Sequence, residues 1–114
     1  MPPREWQMRL EDILEAIAKI QSYIEGMSYE EFAADSKTLD AVIRNLTVIG
    51  EAARNVPVEL QQHYPDVPWR EMQGMRNVVV HEYHGVSAYI IWHTATYNLA
   101  LLPEMLQSIL KQAK

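Results

Sequence analysis

The sequence predicts an all-α fold, a four- to five-helix bundle, on three observations. Apolar residues recur at steps of three and four through long stretches of the chain, the signature of one buried helix face. No alternation of apolar and polar residues marks a strand, and Val78-Val79-Val80 is too short to outweigh its helical flanks. Four glycines and six prolines are too few for the turns of an all-β protein. At 114 residues, 48% hydrophobic and 22% charged, the chain reads as a single globular domain over residues 1–114.

The first helix is predicted from about Arg4 to Glu25, with Trp6, Leu10, Ile13, Leu14, Ile17, Ile20 and Ile24 on one face. Gly26 stops it. Ser28-Tyr29-Glu30-Glu31 has the S-x-x-E form of a capping box, which predicts a short helical turn through Ala34. A second long helix follows from about Lys37 to Asn55 on the stripe Leu39, Val42, Ile43, Leu46, Ile49 and Ala53. Pro57 ends it, because the residue before a proline is driven out of the α region. Val56 to Pro68 holds three prolines and forms the connection, with room for a single turn at Val58–Gln62. Pro68 suits the first position of a helix capped from the Asp66 region and running to about Tyr83 or His84, with an interruption expected at Gly74. Gly85 ends that helix, and Ser87 caps a last one that reaches about Gln112, kinked at Pro103.

Composition removes several function classes. Ten Lys+Arg against 15 Asp+Glu give a net charge of −5, and the pI is near 5.3. Proteins that coat nucleic acid or anionic membranes by bulk charge are basic instead. With no cysteine there is no disulfide framework, thiolate metal site or thiol nucleophile, which fits a reducing cytoplasm. The N-terminal Met1-Pro2-Pro3-Arg4-Glu5-Trp6 meets an acidic residue before any apolar run, unlike a signal peptide. His84 to Pro103 is a long stretch without Asp, Glu, Lys or Arg, but it contains Ser87, His93, Thr94, Thr96 and Asn98. Those groups are costly in hydrocarbon, so a helix buried on several sides in a core or subunit interface is expected, not a membrane span.

The segment Arg76-Asn77-Val78-Val79-Val80-His81-Glu82-Tyr83 carries the chemistry. With Arg76 set at 0° on a helical wheel, Tyr83 falls at about −20°, Val80 at about 40°, Asn77 at about 100° and His81 at about 140°. Met75, Val78 and Val79 fall on the opposite side, at about 260°, 200° and 300°. One face is expected to enter the core while Arg, Asn, His and Tyr gather into a polar arc. Arg76 and His81 flank that arc, so a ligand would lie across the helix or a second subunit would complete the site. Such groups suit a phosphodiester. A guanidinium binds phosphate oxygens through paired N–H donors, and an imidazole of pKa about 6.5 moves protons near neutral pH. Asn77 and Tyr83 could orient the substrate.

Arg76-x4-His81-x-Tyr83 resembles the R-x4-H-x-Y motif of HepT-like proteins, a branch of the HEPN superfamily. Tyr23–Met27, Ala41–Leu46, Ile49–Ala53 and Pro68–Asn77 resemble family blocks in the same order, so the likeness covers roughly Trp6 to Leu102. The resemblance implies a HEPN-type bundle that forms a two-fold dimer, with two motif helices lining a shared cleft. It implies the toxin of a toxin–antitoxin pair, a metal-independent endoribonuclease with RNA as substrate and Arg76 and His81 as catalytic pair. It further implies that an MNT-type nucleotidyltransferase antitoxin transfers AMP to Tyr83, filling the cleft and neutralising its anion site.

Other polar residues have structural readings. Arg44 and Glu51, seven apart on one helix, suggest an ion pair within the chain or across subunits. The alternative is a contribution of Arg44 to RNA or partner binding. His81 and His84 lack a third ligand in register, so neither a metal site nor any cofactor is expected. His93 reads as a hydrogen-bonded interior or interface histidine. The uncharged helix around Trp92 offers apolar residues on more than one face, which suits a homodimer, a central core helix, or both. A competing functional reading is a non-enzymatic protein whose cleft binds nucleotide or the transferase. A third is a helical scaffold in which Arg76 and His81 order a dimer.

Overall fold

The computed structural model describes the backbone of residues 3–82 and 88–112, and the side chains of residues 5–76 and 88–112. The described residues are all-helical, with no strand, in the arrangement of a HEPN-type bundle. Helix α1 spans Pro3–Ile24, α2 Tyr29–Ala34, α3 Ser36–Arg54, α4 Val58–His63, α5 Trp69–Glu82, α6 Ala88–His93 and α7 Leu102–Gln112. A π-helical turn, Thr94–Asn98, follows α6 directly. The expected long helices α1, α3 and α5 are present, and the short α2 and α4 lie where the capping box and the connection after Pro57 suggested them.

Helix α3 is the central element, touching α1, α2, α5 and α6. Its stripe Val42, Leu46, Ile49 and Ala53 is buried, and so are Leu10, Ile13, Ile17 and Ile20 on the facing side of α1. Each such aliphatic side chain contributes about 1.5–3 kcal/mol when removed from water, so these two stripes alone fix the α1–α3 pair. Gly26 closes α1 in the left-handed region, at φ 78°, where a residue without Cβ is favoured. The capping box is formed: the Glu31 backbone N–H donates to Ser28 Oγ at 3.1 Å, and the Ser28 N–H donates to Glu31 Oε1 at 2.8 Å. Phe32, fully buried, anchors the short α2 and meets Trp92 of α6 at 5.2 Å between ring centroids.

Asp35 joins α2 to α3, a role the sequence reading did not give it. Its N–H donates to the Phe32 carbonyl while its carboxylate accepts from the Thr38 N–H at 3.1 Å and the Thr38 hydroxyl at 2.8 Å. These bonds, the backbone N–H foremost, hold its carboxyl below the ordinary carboxylate value. Helix α5 begins at Trp69, whose indole N–H donates to the Tyr64 carbonyl at 3.0 Å and so ties the connection to the new helix. No interruption occurs at Gly74; α5 runs through it.

The last helix departs from expectation. Instead of one helix from Ser87 kinked at Pro103, the chain forms α6, a π-turn, a non-helical step and α7, with Pro103 as the second residue of α7. The reason lies upstream of the proline. A continuous α-helix would need a Pro103 N–H for the Leu99 carbonyl and would drive the ring into that carbonyl. Here the Leu102 N–H donates to Leu99 at 3.3 Å, while the Leu99 N–H reaches back five residues to Thr94 at 3.2 Å. Thr94 and Thr96 donate their hydroxyls to the Ile90 and Trp92 carbonyls, both at 2.8 Å, which loosens the same turn. Among the described residues, no helix is long and apolar enough to cross a membrane.

Candidate functional site

The site is set by the crossing of α3 over α5. Gly50 lies mid-helix in α3, where glycine costs about 1 kcal/mol against alanine. Its function is closeness. A Cβ at Gly50 would stand 3.0 Å from the Arg76 backbone nitrogen, 3.1 Å from Arg76 Cβ and 3.3 Å from the Gln73 carbonyl oxygen. The bare glycine lets the α3 backbone rest on the very turn of α5 that carries Arg76. Buried Trp69, Met72 and Met75 seat the preceding two turns of α5 in the core.

That crossing brings Glu51, the residue after Gly50, alongside Arg76. Arg76 Nη1 lies 2.7 Å from Glu51 Oε1, with both side chains about half exposed at 47%. The short distance marks a charge-assisted hydrogen bond. At such exposure the pair contributes at most about 1 kcal/mol to stability, so its main consequence is where it holds the guanidinium. Glu51 is the partner that sequence reasoning missed. The signal was present: a glycine inside a helical stripe points to a close backbone approach, and Glu51 adjoins it.

Two expectations are corrected here. Glu51 pairs with Arg76 and not with Arg44 within the chain, because seven residues place Arg44 about 10.5 Å away along the α3 axis. Arg44 instead borders a small groove between α1 and α3, beside Asp12, Glu15, Lys19 and Asn45. His93 is not an interior histidine. It is exposed, with its ring stacked between Tyr89 at 6.2 Å and Tyr97 at 5.1 Å. The uncharged segment packs into the core on one side only, in keeping with apolar residues expected on more than one face. Ile91, Ala95 and Leu99 are buried on one side, while Tyr89, Ile90, Tyr97 and Leu101 are exposed on the other.

Of the residues singled out for chemistry, Arg76 is the one whose surroundings are described. Asn77 and His81 belong to α5, and the side chains of both lie outside the described residues, as does Tyr83 entirely. The helix places His81 about 7.5 Å along the axis from Arg76 and about 140° around it. Arg76 therefore offers a half-exposed cation, already aimed by a carboxylate, on the same helix as a histidine. A guanidinium so placed can accept an anionic oxygen on its remaining N–H donors.

Comparison with known proteins bears on this geometry. Residues 13–109 match the family model HepT-like, described as "Ribonuclease HepT-like". "Probable ribonuclease HepT" of Thermococcus cleftensis is 39% identical over 102 residues, covering 90% of this chain and 93% of its own. "Putative RNase MJ1216" of Methanocaldococcus jannaschii is 37% identical over 111 residues, covering 97% and 92%. No solved structure gives a significant match. With the family model spanning most of the chain and both relatives aligned nearly end to end, the chain belongs to the HepT-like ribonuclease family.

Proposed function

We propose that this chain is a metal-independent endoribonuclease that acts as the toxin of a toxin–antitoxin pair in the cytoplasm. Arg76 and His81 are its catalytic pair, with Asn77 and Tyr83 orienting the RNA. The observation that carries this reading is the half-exposed Arg76, held on the helix that also bears His81, in a chain of a ribonuclease family. In this mechanism the imidazole takes the proton of the RNA 2′-hydroxyl as that oxygen attacks the neighbouring phosphorus, or delivers one to the departing 5′-oxygen. The guanidinium stabilises the charge gathered on the phosphoryl oxygens. Purified protein incubated with RNA in EDTA should cleave it. Lack of cleavage by well-folded protein, with activity restored only by a divalent ion, would refute metal independence.

The working unit is a homodimer that brings two α5 helices to one cleft. The exposed Tyr89, Ile90, Tyr97 and Leu101 support this reading, since they present an uncharged apolar stripe for a two-fold contact. Sedimentation should show a dimer for the natural chain and a monomer for Leu101→Glu combined with Tyr97→Glu. A dimer that survives both changes would place the interface elsewhere.

Silencing comes from an MNT-type nucleotidyltransferase that adds AMP to Tyr83. Co-expression should raise the mass by about 329 Da per unit, an increase lost in Tyr83→Phe. A second reading, in which the chain only binds nucleotide or the transferase, draws on the net charge of −5 and on the neutralisation of Arg76 by Glu51. Modification at Tyr83 without any RNA cleavage by unmodified protein would favour it.

A further inference from the structure

We propose that Glu51 is a positioning residue for catalysis: it holds the Arg76 guanidinium in its working orientation before RNA arrives. The inference rests on the ribonuclease reading above and adds to it a residue of a different helix. Three features converge on it. The Gly50 contact fixes the backbone and Cβ of Arg76 against α3, so the start of that side chain is immobilised. The 2.7 Å bond from Arg76 Nη1 to Glu51 Oε1 fixes its far end. Between those two anchors lie the rotatable bonds that a free arginine would have to order on binding phosphate. Both side chains remain half exposed, so the guanidinium is reachable while it is held.

The carboxylate has a second, opposing effect. A negative charge in contact with the guanidinium weakens the attraction of Arg76 for a phosphate in the ground state. Positioning and attraction therefore pull the kinetic constants apart. Removing the charge of Glu51 should loosen Arg76, and so lower kcat, while leaving KM unchanged or reduced. A residue that only joined α3 to α5 would alter the folded fraction and not the constants of the folded enzyme. A gate that merely blocked Arg76 would lower KM and leave kcat intact.

The test uses a single-stranded oligoribonucleotide cleaved in EDTA by the full chain, Glu51→Gln, Glu51→Asp and Arg76→Ala, with folding of each checked by circular dichroism. Glu51→Gln should lower kcat about tenfold, equal to about 1.4 kcal/mol on the barrier, without raising KM. Glu51→Asp keeps the charge on a stem shorter by one methylene and should fall between the two. A second readout is independent of turnover: the Arg76 Nε–Hε NMR signal, assigned by its loss in Arg76→Ala, should report an ordered side chain in the natural protein and a mobile one in Glu51→Gln. An unchanged kcat in Glu51→Gln, while the natural chain cleaves and Arg76→Ala does not, would overturn the role of Glu51 alone. Cleavage retained by Arg76→Ala would overturn the catalytic role of Arg76. Absence of cleavage by the natural chain would overturn the ribonuclease reading itself.

Discussion

Replacing Gly50 with alanine probes the α3–α5 crossing most sharply, because helix propensity and packing act on it with opposite signs. Alanine is the better helix former by about 0.8–1.0 kcal/mol in a helix interior. Against that gain stand contacts of 3.0 Å to the Arg76 nitrogen, 3.1 Å to Arg76 Cβ and 3.3 Å to the Gln73 carbonyl oxygen. Two of these atoms belong to the backbone of α5 and the third is a Cβ fixed to it, so no side-chain rotation relieves the clash. Forcing a methyl group into a well-packed contact costs about 1–3 kcal/mol. The difference leaves Gly50→Ala less stable by about 1 kcal/mol, a fall in Tm of about 4 °C for a domain of this size. Gly74 supplies the internal control, since it too is helical but a Cβ there meets nothing within 4 Å. Gly74→Ala should therefore gain up to about 1 kcal/mol, and the two variants should lie on opposite sides of the natural protein in thermal and urea unfolding. Gly50→Ala as stable as the natural chain would refute the close approach. The displacement it forces falls on Arg76, so RNA cleavage per folded molecule should fall in Gly50→Ala and persist in Gly74→Ala.

The helix caps give two further predictions. Ser28→Ala removes the acceptor of the Glu31 N–H and should cost about 1 kcal/mol, read as a shift in urea midpoint without a change in slope. Asp35 has a carboxyl depressed by the Thr38 N–H and hydroxyl, so its stabilising effect is fully present above the ordinary carboxylate value of the unfolded chain and is lost as pH falls through the lower folded value. Unfolding midpoints measured from pH 6 down to about 2 should fall less steeply for Asp35→Ala than for the natural chain; parallel curves would show that the cap does not respond to protonation.

The limits of the sequence reading are physical. Helices α1 and α3 were legible because their apolar stripes are long and strictly periodic, and the α2 cap because serine and glutamate stand three apart. Asp35 was missed since one residue there ends one helix and begins the next, leaving no separate boundary to see. The π-turn was hidden because Pro103 announces a break but not where it falls. Two threonines and the Leu99 carbonyl decided that it would lie earlier, at Thr94–Asn98. At the candidate site, Arg76 stood out because Arg76-x4-His81-x-Tyr83 resembles a family motif, which the spacing to His81 alone would not have singled out. Glu51 did not, because its contact joins residues 25 positions apart and depends on a missing Cβ at Gly50. Arg44 and Glu51 do not pair within the chain for a related reason: alignment on a helical face does not bring side chains within reach across two turns.

The central claim is that Arg76 and His81 carry out RNA cleavage without a metal ion. Rates measured in EDTA on one oligoribonucleotide, at saturating substrate, for the natural chain, Arg76→Ala and His81→Ala test it most directly. Loss of a general acid–base group costs about 100-fold or more, so His81→Ala should drop by at least that factor, with Arg76→Ala impaired to a comparable degree. Cleavage by His81→Ala at the natural rate, from protein shown to be folded and free of contaminating nuclease, would contradict the account.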